Sequence, residues 1–307
     1  MSWIKQVSLH GLRAYLTKDD VLVGRSGVGT GGVGKPGIMI PGSSDYVAVF
    51  DDFLARPNVG INDTGVGVVG RVNHHEGTFF RWIGTDTGND TKLLDTGGAN
   101  GVLRIGAVND GTQTPAGTNT SLVGYTTAWK GNMGKGAYPS SLRFGARVKC
   151  LGNGTVWNVG SLFAGFADSG ALGAGTMPIY DTGASDTGGI AAVSNAFGFL
   201  FSEAGDTGFR GVSARGGATG RQNVSLTQTE PTVNTWHVLE MELTRDLSDT
   251  GGTVKFYIDG VMKGRIESPV TTSEPLVPGV WVMASDTGAP IIDVDWIAVS
   301  GTRDTGQ

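Results

Sequence analysis

The sequence has few of the residues that form crosslinks, metal centres or membrane anchors. Cys150 is the single cysteine among 307 residues, so an internal disulfide is excluded. No apolar run is long enough to span a bilayer, and residues 1–6 lack the apolar stretch of a signal peptide. We therefore expect no membrane insertion.

Cationic residues are also too few for a broad nucleic-acid surface. The chain carries 23 Lys and Arg against 28 Asp and Glu, for a formal net charge of −5 and a pI near 5.4. A nucleic-acid partner is therefore not predicted, although this composition does not exclude a local basic patch.

Helical periodicity is missing after residue 57, whereas turn-forming residues are abundant. The chain has 52 glycines and 11 prolines, yet 39% of its residues are hydrophobic. That apolar fraction is enough to bury a large core, which argues against a disordered low-complexity chain. Many short strands joined by tight turns are the expected organisation.

The tripeptide Asp-Thr-Gly occurs nine times. The copies begin at Asp63, Asp86, Asp95, Asp181, Asp186, Asp206, Asp249, Asp286 and Asp304. One or two copies would suggest an aspartic protease, but a catalytic dyad needs only two carboxylates. A repeated turn fits nine copies better, with Asp bonding its own backbone and Gly taking a positive φ. Most of these aspartates are predicted to lie in exposed turns.

Alternation of apolar and polar residues predicts several half-buried strands. Apolar positions alternate over 142–150, 197–201, 237–243, 254–258 and 292–298. In the last run, the pattern places Trp296 and Ala298 with the apolar side and Ile297 with the aspartates. Asp259-Gly260 is a hairpin signal, and Cys150, on an apolar side, is expected to be a buried inert thiol. The predicted fold is an all-β antiparallel β-sandwich or barrel.

The first residues differ from the rest. Residues 3–22 mix apolar and charged residues without a clean period, and a glycine-rich stretch follows from Gly24 to Gly37. We predict an N-terminal arm or attachment segment with a glycine-rich linker over residues 1–45, and a β-sandwich over residues 46–307.

Two motifs look like binding sites but lack the required context. Residues 29–35 nearly form a phosphate-binding loop, yet Pro36 occupies the position of the Ser or Thr that holds magnesium. His74, His75 and Glu76 form the main histidine cluster, but adjacent side chains on a strand point to opposite faces. A glycine-rich linker and a solvent-facing loop are the favoured interpretations, and His237 is expected to be buried and hydrogen-bonded.

Paired carboxylates are the best candidates for catalysis. Glu240 and Glu242 share one strand face, and Asp293 and Asp295 share another. Such pairs serve glycoside hydrolysis at the right separation, but these positions are expected on outer, solvated faces of amphipathic strands. We therefore predict no catalytic residues and no enzyme activity.

Two further ligand chemistries remain as lesser alternatives. Asp181 to Asp186 could supply oxygen ligands to a structural calcium ion, although two successive turns explain the same residues. Tryptophans such as Trp82, Trp129 and Trp157 could stack on sugars, although most tryptophans in a sandwich lie in the core. No metal-ligating or cofactor-binding residues are therefore predicted.

The C-terminal third resembles the closing strands of a concanavalin A-like (laminin G-like) jelly roll. The resemblance rests on the Trp-His strand at 236–243, the Phe-Tyr-Ile-Asp-Gly hairpin at 256–260 and the Asp-rich strand at 292–299. Residues 197–215 resemble the strands before them. The resemblance covers about residues 140–300 and implies two antiparallel sheets packed face to face.

The whole chain is also similar in style to structural proteins of tailed bacteriophages, through residues 7–11, the entry at 50–54 and the glycine-rich β domain. This resemblance implies a non-enzymatic capsid decoration or surface protein that attaches through its arm. It also implies a virion location, other virion proteins as partners and a homotrimer. A glycan-binding tail or fibre module with a host glycan partner is the alternative, and a glycoside hydrolase is the third hypothesis.

Overall fold

The computed structural model describes the side chains of part of the chain. These are residues 102–106, 142–151, 160–168, 171, 177–180, 192–202, 208–216, 222–227, 231–244, 252–267, 276–284 and 291–301. For the remaining strands, only backbone pairing is described.

Almost all of the described secondary structure consists of strands. In chain order they are β1 (Lys5–Leu9), β2 (Leu12–Leu16), β3 (Leu22–Gly24), β4 (Tyr46–Asp51), β5 (Gly70–Arg71), β6 (Phe80–Gly84), β7 (Lys92–Leu94), β8 (Val102–Gly106), β9 (Thr120–Tyr125), β10 (Trp129–Lys130), β11 (Ser141–Leu151), β12 (Ser161–Asp168), β13 (Ile179–Tyr180), β14 (Ile190–Ala191), β15 (Asn195–Ser202), β16 (Arg210–Arg215), β17 (Gln222–Ser225), β18 (Trp236–Thr244), β19 (Thr253–Ile258), β20 (Val261–Glu267), β21 (Pro275–Met283) and β22 (Ile291–Thr302).

Most strands belong to two large antiparallel sheets. The eight-stranded sheet runs β20-β19-β18-β11-β22-β8-β7, with β4 also paired to β22. The nine-stranded sheet runs β17-β16-β15-β12-β21-β9-β6-β5, with β10 also paired to β21. Sequence-distant strands such as β11 and β22 lie side by side in this order, so the register brings together residues far apart in the chain.

A single apolar core fills the space between the two sheets. The even-numbered residues from Leu142 to Cys150 are buried, as the alternation predicts. Aromatic pairs join the sheets, because Phe144 lies 6.0 Å from Phe166 and Phe199 lies 5.2 Å from Phe256, both edge to face. Such pairs add about 0.5–1.5 kcal/mol beyond the area they bury. The chain is thus an all-β antiparallel sandwich, and the predicted fold class is confirmed.

The hairpin predicted at Asp259-Gly260 is confirmed. Both residues have positive φ, 51° at Asp259 and 77° at Gly260, as a two-residue turn of the primed type requires. The Asp259 side chain also stabilises the turn, since its Oδ1 accepts a hydrogen bond from the Val238 amide at 2.8 Å.

The prediction of which β22 side chains face the core is wrong for the second half of the strand. Arg147 pairs with Trp296 but the next residue pairs with Val294, so Asp295 is an extra residue, a β-bulge. Beyond the bulge the alternation is inverted, and Ile297 enters the core while Trp296 is half-buried outside it. A strict period of two cannot place residues correctly past an inserted one.

The nine-stranded sheet is buried on its second face as well. Phe163, Leu200 and Trp281 are fully buried in a second apolar cluster on this side. The β13–β14 segment contributes Met177 and Ile179 to the same cluster. Part of this sheet therefore has apolar side chains on both faces, like the core layer of a larger protein.

In sequence, each Asp-Thr-Gly copy lies between two consecutive described strands or after β22. All nine aspartates lie outside the described residues, so their predicted exposure stays a prediction. Gly208, the glycine of the sixth copy, is described and does not have a positive φ. A Cβ at Gly208 would instead overlap Oγ1 of Thr227 and lie 2.5 Å from its carbonyl oxygen.

Gly208→Ala is expected to lower the free energy of unfolding by about 1–3 kcal/mol, the usual cost of overpacking. Thr227 cannot move away freely, because its Oγ1 accepts a hydrogen bond from the Phe209 amide at 2.8 Å. Chemical denaturation of both proteins measures the difference. Arg215→Ala, at an exposed position of β16, serves as the control and should change stability by less than about 0.5 kcal/mol. Equal stability of the two variants would contradict the close contact.

The N-terminal strands β1, β2 and β3 form a separate antiparallel sheet among the described strands. Leu9 pairs with Leu12, which leaves a two-residue connection between β1 and β2. The strand β4, which starts at Tyr46, belongs to the eight-stranded sheet. The division into residues 1–45 and 46–307 stays a prediction, and the linker over 25–37 lies outside the described residues.

Candidate functional site

The side of the eight-stranded sheet that faces away from the core carries most of the described charged side chains. We call this side the polar face. On β11 the odd-numbered residues Arg143, Arg147 and Lys149 point there, because their even-numbered neighbours enter the core. The register then sets Glu242 beside Arg143 and Asp293 beside Lys149.

Two aspartates of β22 hold three cations at one end of this face. Arg104 donates from Nε to Asp293 Oδ1 at 2.7 Å and from Nη2 to Oδ2 at 3.1 Å. The Lys149 Nζ lies 3.1 Å from the same Oδ2. Arg147 Nη1 donates to Asp295 Oδ2 at 2.7 Å, and Asp295 is the residue that the bulge adds. Both oxygens of Asp293 are therefore already engaged.

The indole of Trp236 lies against two of these cations. The Arg147 guanidinium carbon is 4.9 Å from the ring centroid, and the Lys149 Nζ is 4.6 Å from it. Cation–π contacts of this kind contribute about 0.5–1 kcal/mol each at exposed sites. The ring is half-buried, so it is fixed while part of it still meets solvent.

We call this group of six side chains the Trp236 patch. Its members are Arg104, Arg147, Lys149, Trp236, Asp293 and Asp295. They come from β8, β11, β18 and β22, four strands that are neighbours in the sheet. Among them, the patch combines an aromatic face, fixed donors and fixed acceptors.

A second ion-paired group lies further along the polar face. Arg143 donates to Glu242 Oε1 from Nη2 at 2.7 Å and from Nε at 3.2 Å. Burial raises the pKa of Tyr257, and the charges of Glu242 and Glu240 raise it further while Arg143 opposes them. The phenol therefore stays protonated at neutral pH and can act as a hydrogen-bond donor.

The expectation that the paired carboxylates are solvated is wrong. Glu240, Asp293 and Asp295 are 2%, 1% and 7% exposed, and both pairs lie on the same sheet face. The ion pairs explain the burial of the aspartates, because long Arg and Lys side chains lie over them and satisfy their oxygens. These aspartates, together with Glu242, hold the neighbouring cations in position.

Of the two other candidates on these strands, Cys150 is buried as predicted, whereas His237 forms the predicted hydrogen bond but is only half-buried. His237 is partly buried, contacts Asp259 Oδ2 through Nδ1 at 3.0 Å and packs edge-on to Phe209. Cys150 is buried. Burial raises the pKa of its thiol far above the ordinary value, and the charge of Asp293 raises it further.

Cys150 is expected to resist alkylation in the native protein. Because its pKa is raised, increasing the pH from 7 to 9 should not generate the thiolate, which is the reactive form. Labelling by a thiol reagent should be at least about a hundredfold slower in the folded than in the unfolded protein. A native labelling rate close to that of the unfolded protein would show an exposed thiol instead.

Other sequence candidates lie outside the described residues. These are His74, His75, Glu76, the near-phosphate loop at 29–35, Trp157 and the side chains of Trp82 and Trp129. The segment 181–186, considered for calcium, lies there too. Within the described part of the chain, no cluster of His, Cys, Asp and Glu could hold a metal ion. The same part of the chain contains no helix that could span a membrane.

The Trp236 patch was not predicted from the sequence as a site. Alternation alone places Arg147 and Lys149 on one strand face. Their contacts with Trp236 depend on the β11–β18 register, which pairs Lys149 with Trp236, 87 positions later in the chain. A local pattern cannot supply that register.

No protein-family model matches the chain, and no curated protein matches it significantly. Solved structures with a similar fold include peanut lectin, at 12% identity and a TM-score of 0.46 over 84% of this chain and 97% of the lectin. Arcelin-5, a lectin-like defence protein from Phaseolus vulgaris, has 11% identity and a TM-score of 0.44 over 83% and 98%. An endo-1,3-β-glucanase from Streptomyces sioyaensis has 15% identity and 0.44 over 85% and 98%. At such identities and TM-scores these similarities concern the fold alone and carry no conclusion about function.

Proposed function

We propose that this protein is a non-catalytic glycan-binding protein whose ligand lies on the Trp236 patch. The observation that carries the proposal is the half-buried Trp236 ring, held by Arg147 and Lys149 beside ion-paired Asp293 and Asp295. A sugar offers a C–H face to an aromatic ring and hydroxyl groups to polar side chains. The patch offers partners for both.

The rigidity of the patch favours binding. Free Arg and Lys side chains lose rotamer entropy when they meet a ligand, at about 0.5–1.5 kcal/mol per immobilised side chain. Arg104 and Lys149 are already held by Asp293, and Arg147 is held by Asp295. Much of the rotamer entropy of these side chains is therefore lost during folding, and less is lost when the ligand binds.

The same ion pairs argue against catalysis at the patch. Hydrolysis of a glycosidic bond needs one carboxyl group to donate a proton and another to act as base or nucleophile. Both Asp293 oxygens already accept hydrogen bonds from Arg104, and Asp295 is bound by Arg147. On the adjacent strands, Glu242 is bound by Arg143.

A glycan array with the tagged full chain tests the proposal. We expect specific binding to at least one polysaccharide, with no increase in reducing ends or unsaturated products when that polysaccharide is incubated with the protein. A blank array across host and environmental polysaccharides would refute glycan binding. Turnover that is lost in the Glu240→Gln and Glu242→Gln variants would refute the non-catalytic assignment.

A second candidate function is a surface component of a bacteriophage particle, such as a capsid decoration protein. It is favoured by the small sheet of β1, β2 and β3, which precedes the sandwich and pairs within itself among the described strands. Such an element could attach to other virion proteins while the sandwich faces outward. In a homotrimer, neighbouring subunits would cover the edges of the sheets. Electron microscopy and mass spectrometry of purified particles test this candidate, and absence of the chain from virions would remove it.

A further inference from the structure

We infer that the ligand of the Trp236 patch is an acidic polysaccharide, one that carries carboxylate or sulfate groups. This inference rests on the proposed function and adds the ligand class. It is carried by the charge of the patch and by the direction in which its charged groups point.

The patch has more cations than carboxylates. Asp293 binds both Arg104 and Lys149, so one negative charge is shared by two positive charges. Arg147 and Asp295 form a pair of their own. Three cations against two carboxylates give the patch a net charge of +1.

The excess persists over the described polar face of β8, β22, β11, β18 and β19. Its cations are Arg104, Arg143, Arg147, Lys149 and Lys255, and its carboxylates are Glu240, Glu242, Asp293 and Asp295. Five against four again leaves one positive charge, whereas the whole chain has a net charge of −5. The sign of this face is therefore opposite to that of the protein.

The cations are also the outer layer of the patch. The side chains of Arg104, Arg147 and Lys149 are 29%, 36% and 21% exposed, whereas those of Asp293 and Asp295 are 2% and 10% exposed. A ligand that approaches from solvent therefore meets guanidinium and ammonium groups first. Charge-assisted hydrogen bonds from such groups to a carboxylate or sulfate are about twice as strong as neutral ones.

The aromatic ring of Trp236 favours a sugar chain over a free anion as the ligand of this site. The Lys149 Nζ lies 4.6 Å from the ring centroid, so the acidic group of a sugar bound by this ammonium would lie close to the indole. One polymer unit can then use both the charge and the aromatic surface.

The experiment compares polymers that differ only in charge. Polygalacturonate is compared with its fully methyl-esterified form, and dextran sulfate with dextran, by affinity electrophoresis or calorimetry at low salt and at 0.3 M NaCl. We expect the acidic form of at least one pair to bind at least tenfold more tightly, with the preference shrinking in salt as the charges are screened. The pair that shows the preference distinguishes carboxylate from sulfate.

Substitutions of single lysines test whether the preference for the acidic polymer arises at the Trp236 patch. Lys149→Met and Lys149→Gln should lose most of the preference for the acidic polymer, and Lys149→Arg should retain it. Lys263→Met, which removes an exposed cation on β20, is the matched control and should leave the preference unchanged. Melting temperatures of all variants check that the fold is intact.

The failures of the two proposals are distinguishable. Equal binding of charged and neutral polymers by the wild-type protein would overturn the acidic ligand and leave glycan binding standing. An equal loss of preference in Lys149→Met and Lys263→Met would overturn the location, because it would show a diffuse charge effect. Failure to bind any polysaccharide would overturn the proposed function itself.

Discussion

Phe256→Ala is expected to lower the free energy of unfolding by about 3–5 kcal/mol, the usual range for a large aromatic residue removed from a core. Phe256 is fully buried and packs edge to face on Phe199 at 5.2 Å, across the two sheets. Its removal would leave a cavity between β19 and β15 that rigid strands cannot close. Urea denaturation with the midpoint and slope both fitted measures the loss.

Substitution of Gly211, which lies beside the Phe256 ring, makes this test more specific. A Cβ at Gly211 would lie 2.6–2.9 Å from three carbon atoms of the Phe256 ring, so Gly211→Ala alone should cost about 1–3 kcal/mol through overpacking. In the double variant with Phe256→Ala, the new methyl group enters the cavity instead. The double variant should therefore be more stable than the sum of the two single losses predicts. Additive losses, or a Phe256→Ala loss below about 1 kcal/mol, would contradict the described packing.

Trp236→Ala is expected to weaken polysaccharide binding by about thirtyfold or more, which corresponds to the roughly 2 kcal/mol of a tryptophan hot spot. The variant removes the aromatic surface and also the ring on which Arg147 and Lys149 rest. Both cations would then lose part of their fixed orientation. Affinity for the polysaccharide selected on the array measures the effect.

Two control variants accompany this prediction. Trp236→Phe should retain part of the affinity, because a smaller aromatic ring remains. Thr244→Ala, at a half-buried position on the other end of β18, should bind like the wild type. If Trp236→Ala binds normally while remaining folded, the ligand does not lie on this patch.

The features predicted correctly from the sequence are local. The alternation in β11, β15, β18 and β19 identifies which side chains enter the core, because successive side chains of a strand point to opposite faces. Asp259-Gly260 identifies a hairpin turn, because both positions need positive φ. Each of these features depends on residues within a few positions of one another.

The features that were missed or misassigned depend on strand pairing. Ile297 was placed on the polar side because nothing local marks Asp295 as an inserted residue. Asp293 and Asp295 were expected in solvent because a single strand does not show which long cationic side chains will lie over its carboxylates. Gly208 was assigned to a turn of positive φ, whereas its close neighbour is Thr227, 19 residues later.

The sequence by itself determined a β-sandwich with a glycine-rich N-terminal segment, a single buried cysteine and an overall acidic charge. Alternation of apolar and polar residues and the identity of turn residues are properties of neighbouring positions, so the sequence shows them without a structure. Only the tertiary structure decided that the described polar face carries a small excess of positive charge. Arg104, Lys149, Trp236 and Asp293 meet there through the pairing of four strands, and cross-strand contacts depend on long-range register, which local sequence does not encode.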